Sequence, residues 1–293
     1  SDKTGTLTAN ELTVKQVQLP EGSTFDVTGE GYAPEGNVLR DGHPPEPDLA
    51  DELSHLARAS VLCNEGRLSR RNDEWTWRGD PTDIALLALG RKLGWSRQSA
   101  LDVHTQTDEI PFEPEQRYAA TFHRTGDETR VFVKGAPERV LEMCTDASEG
   151  EFSLPVLQQQ ANEMAHEGYR VLAVAEGTVE TDGELNQPPS EPTDLTFLGF
   201  LGLIDPLRSG VAEAITSAQQ AGITVTMITG DHPETALAIA RELGLAESPD
   251  EVTTGAELMD ASQEQLEEIL ETTLVFARVS PDQKLKIVEA ARG

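Results

Sequence analysis

The chain opens with a carboxylate beside hydroxyl groups and one glycine, in the string DKTGTLT at residues 2–8. A carboxylate at the end of a strand can attack a phosphoryl group when backbone N–H groups and a cation absorb the phosphoryl charge. Asp2 is the candidate nucleophile, while Gly5 permits a tight turn and Thr4 and Thr6 supply hydrogen-bond donors. An isolated D-x-T more often forms a capped turn, so the length of the string is what favours phosphoryl transfer.

Two later segments carry groups suited to the same chemistry. TGD at 229–231 stands between a predicted strand and a predicted helix, where backbone amides and the helix dipole favour phosphate. An N-cap before Pro233 is the alternative role of this turn, and the two roles are compatible. Lys284 could neutralise phosphoryl charge, although by itself it resembles an ordinary solvated helix lysine such as Lys286.

Charge and composition exclude several classes of partner. The chain has 293 residues, with 52 acidic and 23 basic side chains and a formal net charge of -29. Such a charge repels nucleic acid and anionic membrane surfaces, so neither is expected as a partner. A salt-loving host is a hypothesis that the acid-rich, lysine-poor composition leaves open.

The cysteines and the apolar runs indicate in which compartment the protein is expected and whether it enters a membrane. Cys63 and Cys144 are far apart and match no metal-ligand spacing, so a reducing cytosol is expected. The longest apolar stretch, near 195–204, is about half of what a bilayer crossing needs, so direct membrane insertion is not expected. With no initiator methionine and no signal peptide, we expect the chain to be a piece of a longer protein.

The C-terminal third alternates apolar runs with helical patterns, as βαβ units do. Helices are predicted at 211–221, from Pro233, after Ser262 in a capping box with Gln265, and from Ser280-Pro281 to the end. The runs ITVTMI at 223–228 and VFAR at 275–278 are predicted as strands. The pattern predicts a doubly wound parallel sheet that is interrupted at its C-terminus.

The middle of the chain has a different sequence pattern from the C-terminal third. The short alternating runs TVKQVQL, EWTWRG, YAATFHR and TRVFVKG predict an antiparallel sheet, and helices are predicted at 49–63, 81–93 and 155–168. Loops rich in Pro, Gly and acid are predicted at 20–48 and 181–193. We therefore predict one discontinuous domain from residues 1–10 and 206–293, and an inserted α+β domain from residues 11–205.

The string DKTGTLT resembles the phosphorylation motif of the P-type cation-transporting ATPases, within the haloacid-dehalogenase-like superfamily. The resemblance implies an α/β fold: a haloacid-dehalogenase-like doubly wound parallel sheet, truncated at its C-terminus, with a large inserted nucleotide-binding domain on an antiparallel sheet. It also implies that Asp2 accepts the γ-phosphate of ATP. Related phosphatases carry a second aspartate where this chain has Thr4, so the aspartyl-phosphate would not be hydrolysed at once.

The resemblance assigns further roles around Asp2. Thr229 and Gly230 would contact the transferred phosphoryl group, Asp231 would lie near the nucleotide and its metal, and Lys284 would be the active-site lysine. Mg²⁺ would be held by Asp2 and the backbone carbonyl of Thr4. In the family, a GDGxND motif that completes the metal site follows the lysine helix. Residues 1–293 do not reach this motif, so half of that site is expected here.

The resemblance also assigns nucleotide contacts to Arg208 and Arg278. DPLR at 205–208 resembles the family's DPPR hinge, with leucine in place of the second proline, and Arg208 is expected to reach ATP when the domains close. Arg278, in FARVSPDQK, is included among the nucleotide-contacting positions.

The inserted domain carries the nucleotide motifs. In KGAPE at 134–138, the resemblance places Lys134 and Gly135 in the ATP pocket. Phe112 would stack on adenine, and Arg117 matches a basic position in the same segment. Arg170 would reach the ATP phosphates. Asp83 would be the acid at the adenine edge, where the family usually has glutamate. By itself, Phe112 is more typical of a core residue.

The resemblance thus implies the cytoplasmic catalytic part of an ATP-driven cation pump of the type II branch. Its cofactors would be ATP and Mg²⁺, and its partners the membrane and actuator domains of the same parent chain, at the cytoplasmic face of a membrane. Alone, this piece is expected to bind nucleotide, but its phosphorylation of itself is expected to be poor. A soluble phosphatase of the same superfamily and a nucleotide-binding module without catalysis remain alternatives, and the transported ion stays open.

Overall fold

The computed structural model describes residues 1–179, 191–259 and 263–291. Two compact units are present: a large unit of Glu11–Ala165 with Tyr169–Ile204, and a small unit of Ser1–Asn10, His166–Gly168 and Asp205–Gly293. Ser262 of the predicted capping box, and most of the loop predicted at 181–193, lie outside the described residues. No helix in the described part of the chain is both long and apolar enough to cross a bilayer.

The large unit contains both helices and strands. In chain order they are β1 (Thr13–Gln18), β2 (Thr24–Val27), β3 (Val38–Leu39), α1 (Pro47–Leu62), β4 (Arg67–Arg71), β5 (Glu74–Arg78), α2 (Pro81–Lys92), α3 (Arg97–Leu101), β6 (Thr105–Ile110), β7 (Tyr118–Thr125), β8 (Glu128–Gly135), α4 (Pro137–Leu141), β9 (Cys144–Ala147), α5 (Leu154–His166), β10 (Arg170–Val179) and β11 (Leu195–Ile204). The three helices predicted in this region are confirmed as α1, α2 and α5. The loop predicted at 20–48 is wrong in part, because β2 and β3 lie within it and pair in the main sheet.

One large sheet organises this unit. Within the described residues it has nine strands, in the order β3-β2-β1-β11-β10-β8-β7-β6, with β9 beside β11. Neighbouring strands are antiparallel except β9, which runs parallel to β11. The longest apolar run of the sequence forms β11, near the middle of the sheet, where both faces of the strand are buried.

Helices cover both faces of this sheet. On one face, Leu53 of α1 and Ile84 of α2 pack in a cluster that includes Leu201 of β11. On the other face, Leu157 of α5 packs in a cluster that includes Phe200 of β11. Adjacent residues of one strand therefore enter opposite apolar layers, as the two-residue period of a strand requires.

The run EWTWRG was predicted as part of the main sheet, and this is wrong. It forms β5, which pairs only with β4 in a separate two-stranded hairpin within the described residues. Most side chains of the hairpin are exposed, because its arginines and glutamate cannot enter an apolar layer unpaired. Asn72 and Asp73, at the turn, both have a left-handed φ, of 51° and 66°, which suits a tight hairpin.

The small unit is built around a parallel sheet. Its elements are a wide π-helical turn over Lys3–Leu7, then α6 (Val211–Gln220), β12 (Met227–Ile228), α7 (Pro233–Glu242), β13 (Val252–Thr254), α8 (Gln263–Thr272), β14 (Val275–Ala277) and α9 (Pro281–Ala290). The strand order is β12-β14-β13, and Asp2 forms a parallel bridge with Ile228. Val275 and Phe276 point into different apolar clusters, so both faces of this small sheet are covered.

Two predicted strands of the small unit are shorter than expected. Only Met227–Ile228 of the run 223–228 is a strand, because the Ile223 N–H donates to the Ala218 carbonyl at the end of α6. Ile223 is therefore exposed. The strand predicted over 275–278 ends at Ala277, since Arg278 has a left-handed φ of 53°.

Candidate functional site

The large unit contains a cavity of about 480 Å³ that is lined from several distant parts of the sequence. Its wall includes all six residues of the large unit to which the resemblance assigns nucleotide contacts: Asp83, Phe112, Arg117, Lys134, Gly135 and Arg170. They come from α2, the β6–β7 connection, the end of β8 and the start of β10. We call this space the nucleotide cavity, after the contacts that the resemblance predicts for its lining. Its size is within the usual range for small-molecule sites.

A buried ion pair forms part of the nucleotide cavity. The Lys134 ammonium donates to Asp83 Oδ1, and the two side chains are 11% and 12% exposed. Asp83 Oδ2 accepts the N–H of Glu65 at 3.1 Å, and the Asn64 side chain donates to the Asp83 carbonyl at 2.9 Å. Asp83 is thus held from several sides, and it fixes the lysine at the cavity wall.

Gly135 permits a close approach of two backbones beside this pair. A Cβ at position 135 would lie 2.5 Å from the Arg117 carbonyl oxygen and 2.7 Å from Tyr118 Cβ. The same Arg117 carbonyl accepts the N–H of Ala136 at 2.9 Å. Only glycine fits here without displacing the wall of the cavity.

The mouth of the cavity combines an aromatic ring with cations. Phe112 is 55% exposed, so it is a surface residue of the cavity and not a core residue. Arg170 is also exposed, at the first position of β10. Arg117 has a left-handed φ of 60°, and its Nη1 donates to Glu138 Oε1 at 2.6 Å. A flat ring beside guanidinium groups can hold a base and its phosphates.

Sequence reasoning missed some residues that shape this site. Glu138 lies within the quoted string KGAPE, but its hydrogen bond to Arg117 had no signal in the sequence. Asn64 carries no motif at all. Its side chain donates to the carbonyl of Asp83, which is 19 residues away.

Cys63 lies close to the buried pair but is not a nucleophile. Its thiol is buried, and this burial raises its pKa to about 11, with Lys134 lowering and Asp83 raising it further. A thiol with such a pKa is protonated at neutral pH. Cys63 therefore acts as an apolar core residue, whose Sγ lies 3.4 Å from the Ala119 carbonyl oxygen.

The small unit contains a second charged pair, between Asp2 and Lys284. The Lys284 ammonium lies 2.9 Å and 3.0 Å from the two carboxylate oxygens of Asp2. The exposed fractions of the lysine and aspartate side chains are 32% and 50%. Lys284 is placed in the first turn of α9 by the capping box of Ser280 and Gln283.

The turn after β12 lies in the same unit. The Thr229 amide donates to the Phe276 carbonyl at 2.8 Å, so it cannot also serve a phosphate. The Thr229 hydroxyl accepts the Asp231 amide at 3.1 Å and keeps its own proton for donation. The Gly230 amide makes no hydrogen bond within the described residues. Of the two amides expected to contact phosphate, only that of Gly230 is therefore free.

Asp231 has a partner that sequence reasoning missed. Its carboxylate accepts the ammonium of Lys3, whose side chain is only 8% exposed. Its carbonyl accepts the amide of Arg278, whose side chain is exposed. Arg208 Nε donates to the Thr8 carbonyl at 3.1 Å, which leaves its terminal nitrogens for other acceptors.

The described residues offer few oxygen ligands for Mg²⁺ that are grouped in one place. Across the described ranges, no group of three or more His, Cys, Asp and Glu side chains is close enough to hold a metal ion. The carboxylate of Asp2 and the carbonyl of Thr4, in the π-helical turn, are the expected donors. Mg²⁺ commonly takes one or two protein carboxylates and fills its remaining positions with water and phosphate oxygens. The donors present fit such a partial site.

Comparisons with known proteins agree on one family. Residues 52–210 match the family model described as P-type ATPase, cytoplasmic domain N. The chain is 39% identical, over 99% of its length, to 33% of the cation-transporting ATPase pma1 of Synechocystis sp.. It is 38% identical, over 99% of its length, to 31% of the human calcium-transporting ATPase type 2C member 1, and 36% identical, over 99%, to 33% of a calcium-transporting ATPase of Bacillus subtilis. The chain spans about a third of the length of these relatives.

Proposed function

Because the chain belongs to the P-type ATPase family, we propose that its large unit binds ATP and that Asp2 of its small unit accepts the γ-phosphate. The observation that carries the proposal is the convergence of six residues, from four parts of the sequence, on one cavity. Sequence motifs alone do not require such a convergence, since the six residues span positions 83 to 170.

The chemistry of the nucleotide cavity suits ATP. The exposed ring of Phe112 offers a face on which adenine can stack, a contact worth about 1–3 kcal/mol in nucleic-acid binders. Lys134 offers a fixed ammonium, because Asp83 holds it. Arg117 and Arg170 offer guanidinium groups for the phosphates, and Arg117 would exchange Glu138 for phosphate oxygen.

Phosphoryl transfer is proposed at Asp2. An Asp2 oxygen forms a bond to the γ-phosphorus as the bond from that phosphorus to the β,γ-bridging oxygen breaks, and ADP leaves with the electron pair. Lys284, the Gly230 amide and the Thr229 hydroxyl would offset the charge on the phosphoryl oxygens. Bound Mg²⁺, held by Asp2 and the Thr4 carbonyl, would supply further charge neutralisation.

The wider activity is proposed from the relatives, which are named cation-transporting and calcium-transporting ATPases. In this proposal the chain acts with membrane and actuator domains at the cytoplasmic face of a membrane, in a pump of the type II branch. Thr4 supports a pump over a phosphatase, because a second acid at that position would hydrolyse the aspartyl-phosphate at once. A pump needs this intermediate to persist while the membrane part moves.

Calorimetric titration with ATP tests the binding step. Phe112→Leu should weaken ATP binding about tenfold by removing the stacking ring, whereas Phe112→Tyr should retain most of the affinity. Both substitutions are at an exposed position, so folding should not change. Asp2→Asn should leave ATP binding intact. The absence of binding by the folded wild-type chain, or equal binding by the Leu and Tyr variants, would exclude the proposed cavity.

A labelling experiment tests the transfer step. Incubation with γ-labelled ATP and Mg²⁺, followed by an acid quench, should give a weak, slowly formed label, because only half of the metal site is expected in this chain. Hydroxylamine should remove the label, since it cleaves acyl phosphates. The label should be absent from Asp2→Asn. A label that survives in this variant would refute Asp2 as the acceptor, and ATP binding without any label would favour a nucleotide-binding module.

A further inference from the structure

The large unit has a second cavity, of about 500 Å³, that shares no lining residue with the nucleotide cavity. It lies between β4, α2 and α3. Three arginines, Arg67, Arg91 and Arg97, line it together with three leucines, Leu68, Leu87 and Leu101. We call this space the arginine cavity.

The lining of the arginine cavity includes three arginines and no acidic residue, and the chain segment that supplies most of it is basic, unlike the whole chain. Residues 67–97 hold seven basic and four acidic side chains, whereas the complete chain holds 23 basic and 52 acidic ones. An acidic protein of this kind has abundant carboxylates with which to pair an arginine. Asp83, Glu109 and Glu65 act electrostatically on Arg97, but none of them lines the cavity. Arginines that share a cavity wall repel one another, and a bound anion would relieve this repulsion.

The three guanidinium groups are poorly satisfied by the protein. Within the described residues, Arg67 and Arg91 form no ion pair. Arg97 donates from Nη2 to Gln106 Oε1 at 3.2 Å, but its Nε is buried without a hydrogen-bond partner in the described part of the chain. Burial lowers the pKa of Arg97. The nearby carboxylates of Asp83, Glu109 and Glu65 raise it, and Arg67 lowers it. Unsatisfied buried donors are rare in proteins, so this nitrogen requires an explanation.

The remaining wall of the cavity is apolar. Leu87 is buried in the core, and Leu68 and Leu101 pack partly buried against the same cluster. A bare inorganic ion would leave this leucine surface in contact with water. A ligand with an apolar body and one anionic group would cover the leucines and meet the arginines together.

We propose that the arginine cavity binds a small organic phosphate monoester, with its phosphate on the guanidinium groups and its apolar body against the leucines. Arginine forks match phosphate oxygens in a bidentate geometry, and a dianion can satisfy more than one of them. The proposal goes beyond ATP binding and does not depend on it, because the two cavities have no lining residue in common.

Phenyl phosphate is the probe, and inorganic phosphate is the comparison. Both are titrated into the whole chain by calorimetry at an ionic strength of about 0.15 M, where long-range surface attraction is screened. We expect phenyl phosphate to bind and inorganic phosphate to bind at least fivefold more weakly. Amide chemical shifts of Ser69 and Gln98, which line the cavity, should move during the phenyl phosphate titration.

Substitutions locate the binding. Arg91→Gln, at an exposed position, should weaken phenyl phosphate binding several-fold, and Arg91→Gln with Arg97→Gln should weaken it at least tenfold. Arg124→Gln is the matched control, because Arg124 is an exposed arginine of the same unit that lies outside the cavity. Lys134→Ala, which alters the nucleotide cavity, should leave phenyl phosphate binding unchanged wherever circular dichroism shows a folded protein.

Several results would overturn the proposal. Binding that Arg91→Gln leaves unchanged, or that Arg124→Gln weakens equally, would reduce the effect to general charge attraction. Equal affinities for phenyl phosphate and inorganic phosphate would exclude the amphiphilic ligand class. Loss of binding in a folded Lys134→Ala variant would assign the probe to the nucleotide cavity, and this outcome would leave the ATP proposal intact.

Discussion

The two units hold their key charged pairs in opposite surroundings. Lys134 and Asp83 of the large unit are 11% and 12% exposed, whereas Lys284 and Asp2 of the small unit are 32% and 50% exposed. A buried ion pair depends on both partners, because either charge alone would be stranded in the interior. An exposed pair can exchange its partners for water or phosphate at little cost. The buried pair is therefore tied to the stability of the large unit, whereas the exposed pair is free to change partners.

The largest effect is expected when the buried pair is broken. Asp83→Asn leaves the Lys134 ammonium without its carboxylate, so the free energy of unfolding should fall by about 3–5 kcal/mol. Urea unfolding, followed by circular dichroism, measures this change. Asp83→Leu with Lys134→Met removes both charges and should be less destabilising than Asp83→Asn. A loss below about 1 kcal/mol for Asp83→Asn would show that water screens this pair after all.

Protonation of a buried histidine should give the next largest effect. Burial lowers the pKa of His123 to about 4, although its hydrogen bond to the His104 carbonyl raises it. The unfolded chain therefore binds more protons than the folded chain between pH 6.5 and about 4. The contribution of His123 to the free energy of unfolding is fully present above pH 6.5 and is lost as the pH falls towards 4. The loss should be on the order of 2–3 kcal/mol.

The check for His123 is a difference between two pH profiles. His123→Gln should have a flatter profile of unfolding free energy from pH 6.5 to 4 than the wild-type chain. Carboxylates titrate in both proteins, so they cancel in the difference. His104, whose pKa burial also lowers, remains in both proteins as well. Parallel profiles would mean that His123 is solvated and that the large unit is more open than its burial indicates.

A smaller effect is expected from filling the space beside Gly135. Gly135→Ala places a methyl group 2.5 Å from the Arg117 carbonyl oxygen, so the backbone must move, at a cost of about 1–3 kcal/mol. ATP affinity should fall as well, since Arg117 lines the cavity. Gly177→Ala is the control, because the atom nearest to its new methyl group would be a side-chain carbon, Leu195 Cδ2 at 2.6 Å, and not a backbone oxygen. Equal melting temperatures for the two variants would argue against a rigid cavity wall.

The smallest effect on stability is expected at the exposed pair. Lys284→Gln should change the free energy of unfolding by less than about 1 kcal/mol, because the pair is open to solvent. Aspartyl-phosphate formation should nevertheless fall by a factor of about 100 or more, if Lys284 neutralises charge in the transition state. Lys286→Gln is the matched control, on the same helix. A stability loss as large as that of Asp83→Asn would erase the contrast between the two sites.

The sequence predicted much of the large unit because several of its strands alternate and helices such as α1 and α5 bury one face. The match to the P-type ATPase family confirms the resemblance that was drawn from DKTGTLT and KGAPE. Strand pairing was less accessible, since periodicity shows which side of a strand is buried but not which strand lies beside it. The separate β4–β5 hairpin is the main example, because EWTWRG alternates as well as any strand of the main sheet.

Contacts between distant side chains were the hardest to predict. The pair of Lys134 and Asp83 joins residues that are 51 positions apart, and that of Lys3 and Asp231 joins residues 228 positions apart. No local pattern encodes such a distance. ITVTMI shows a related limit, because its β-branched residues favour a strand while the end of α6 captures the Ile223 amide. The arginine cavity could not be predicted from composition, since the net charge sums acidic and basic residues from all parts of the chain.

The pairing of β1 with β11 has a consequence for how such proteins change over evolutionary time. Thr13, near the first residue of the large unit, pairs with Ile204, its last residue. A module whose two ends are neighbours can be inserted into a surface loop of another fold, or lost from it, with little effect on the host. Its length can also vary freely, because loop-closure entropy grows only slowly with the number of residues enclosed. The large unit therefore has the geometry of an inserted module, whose size can change without a change in the sheet of the small unit.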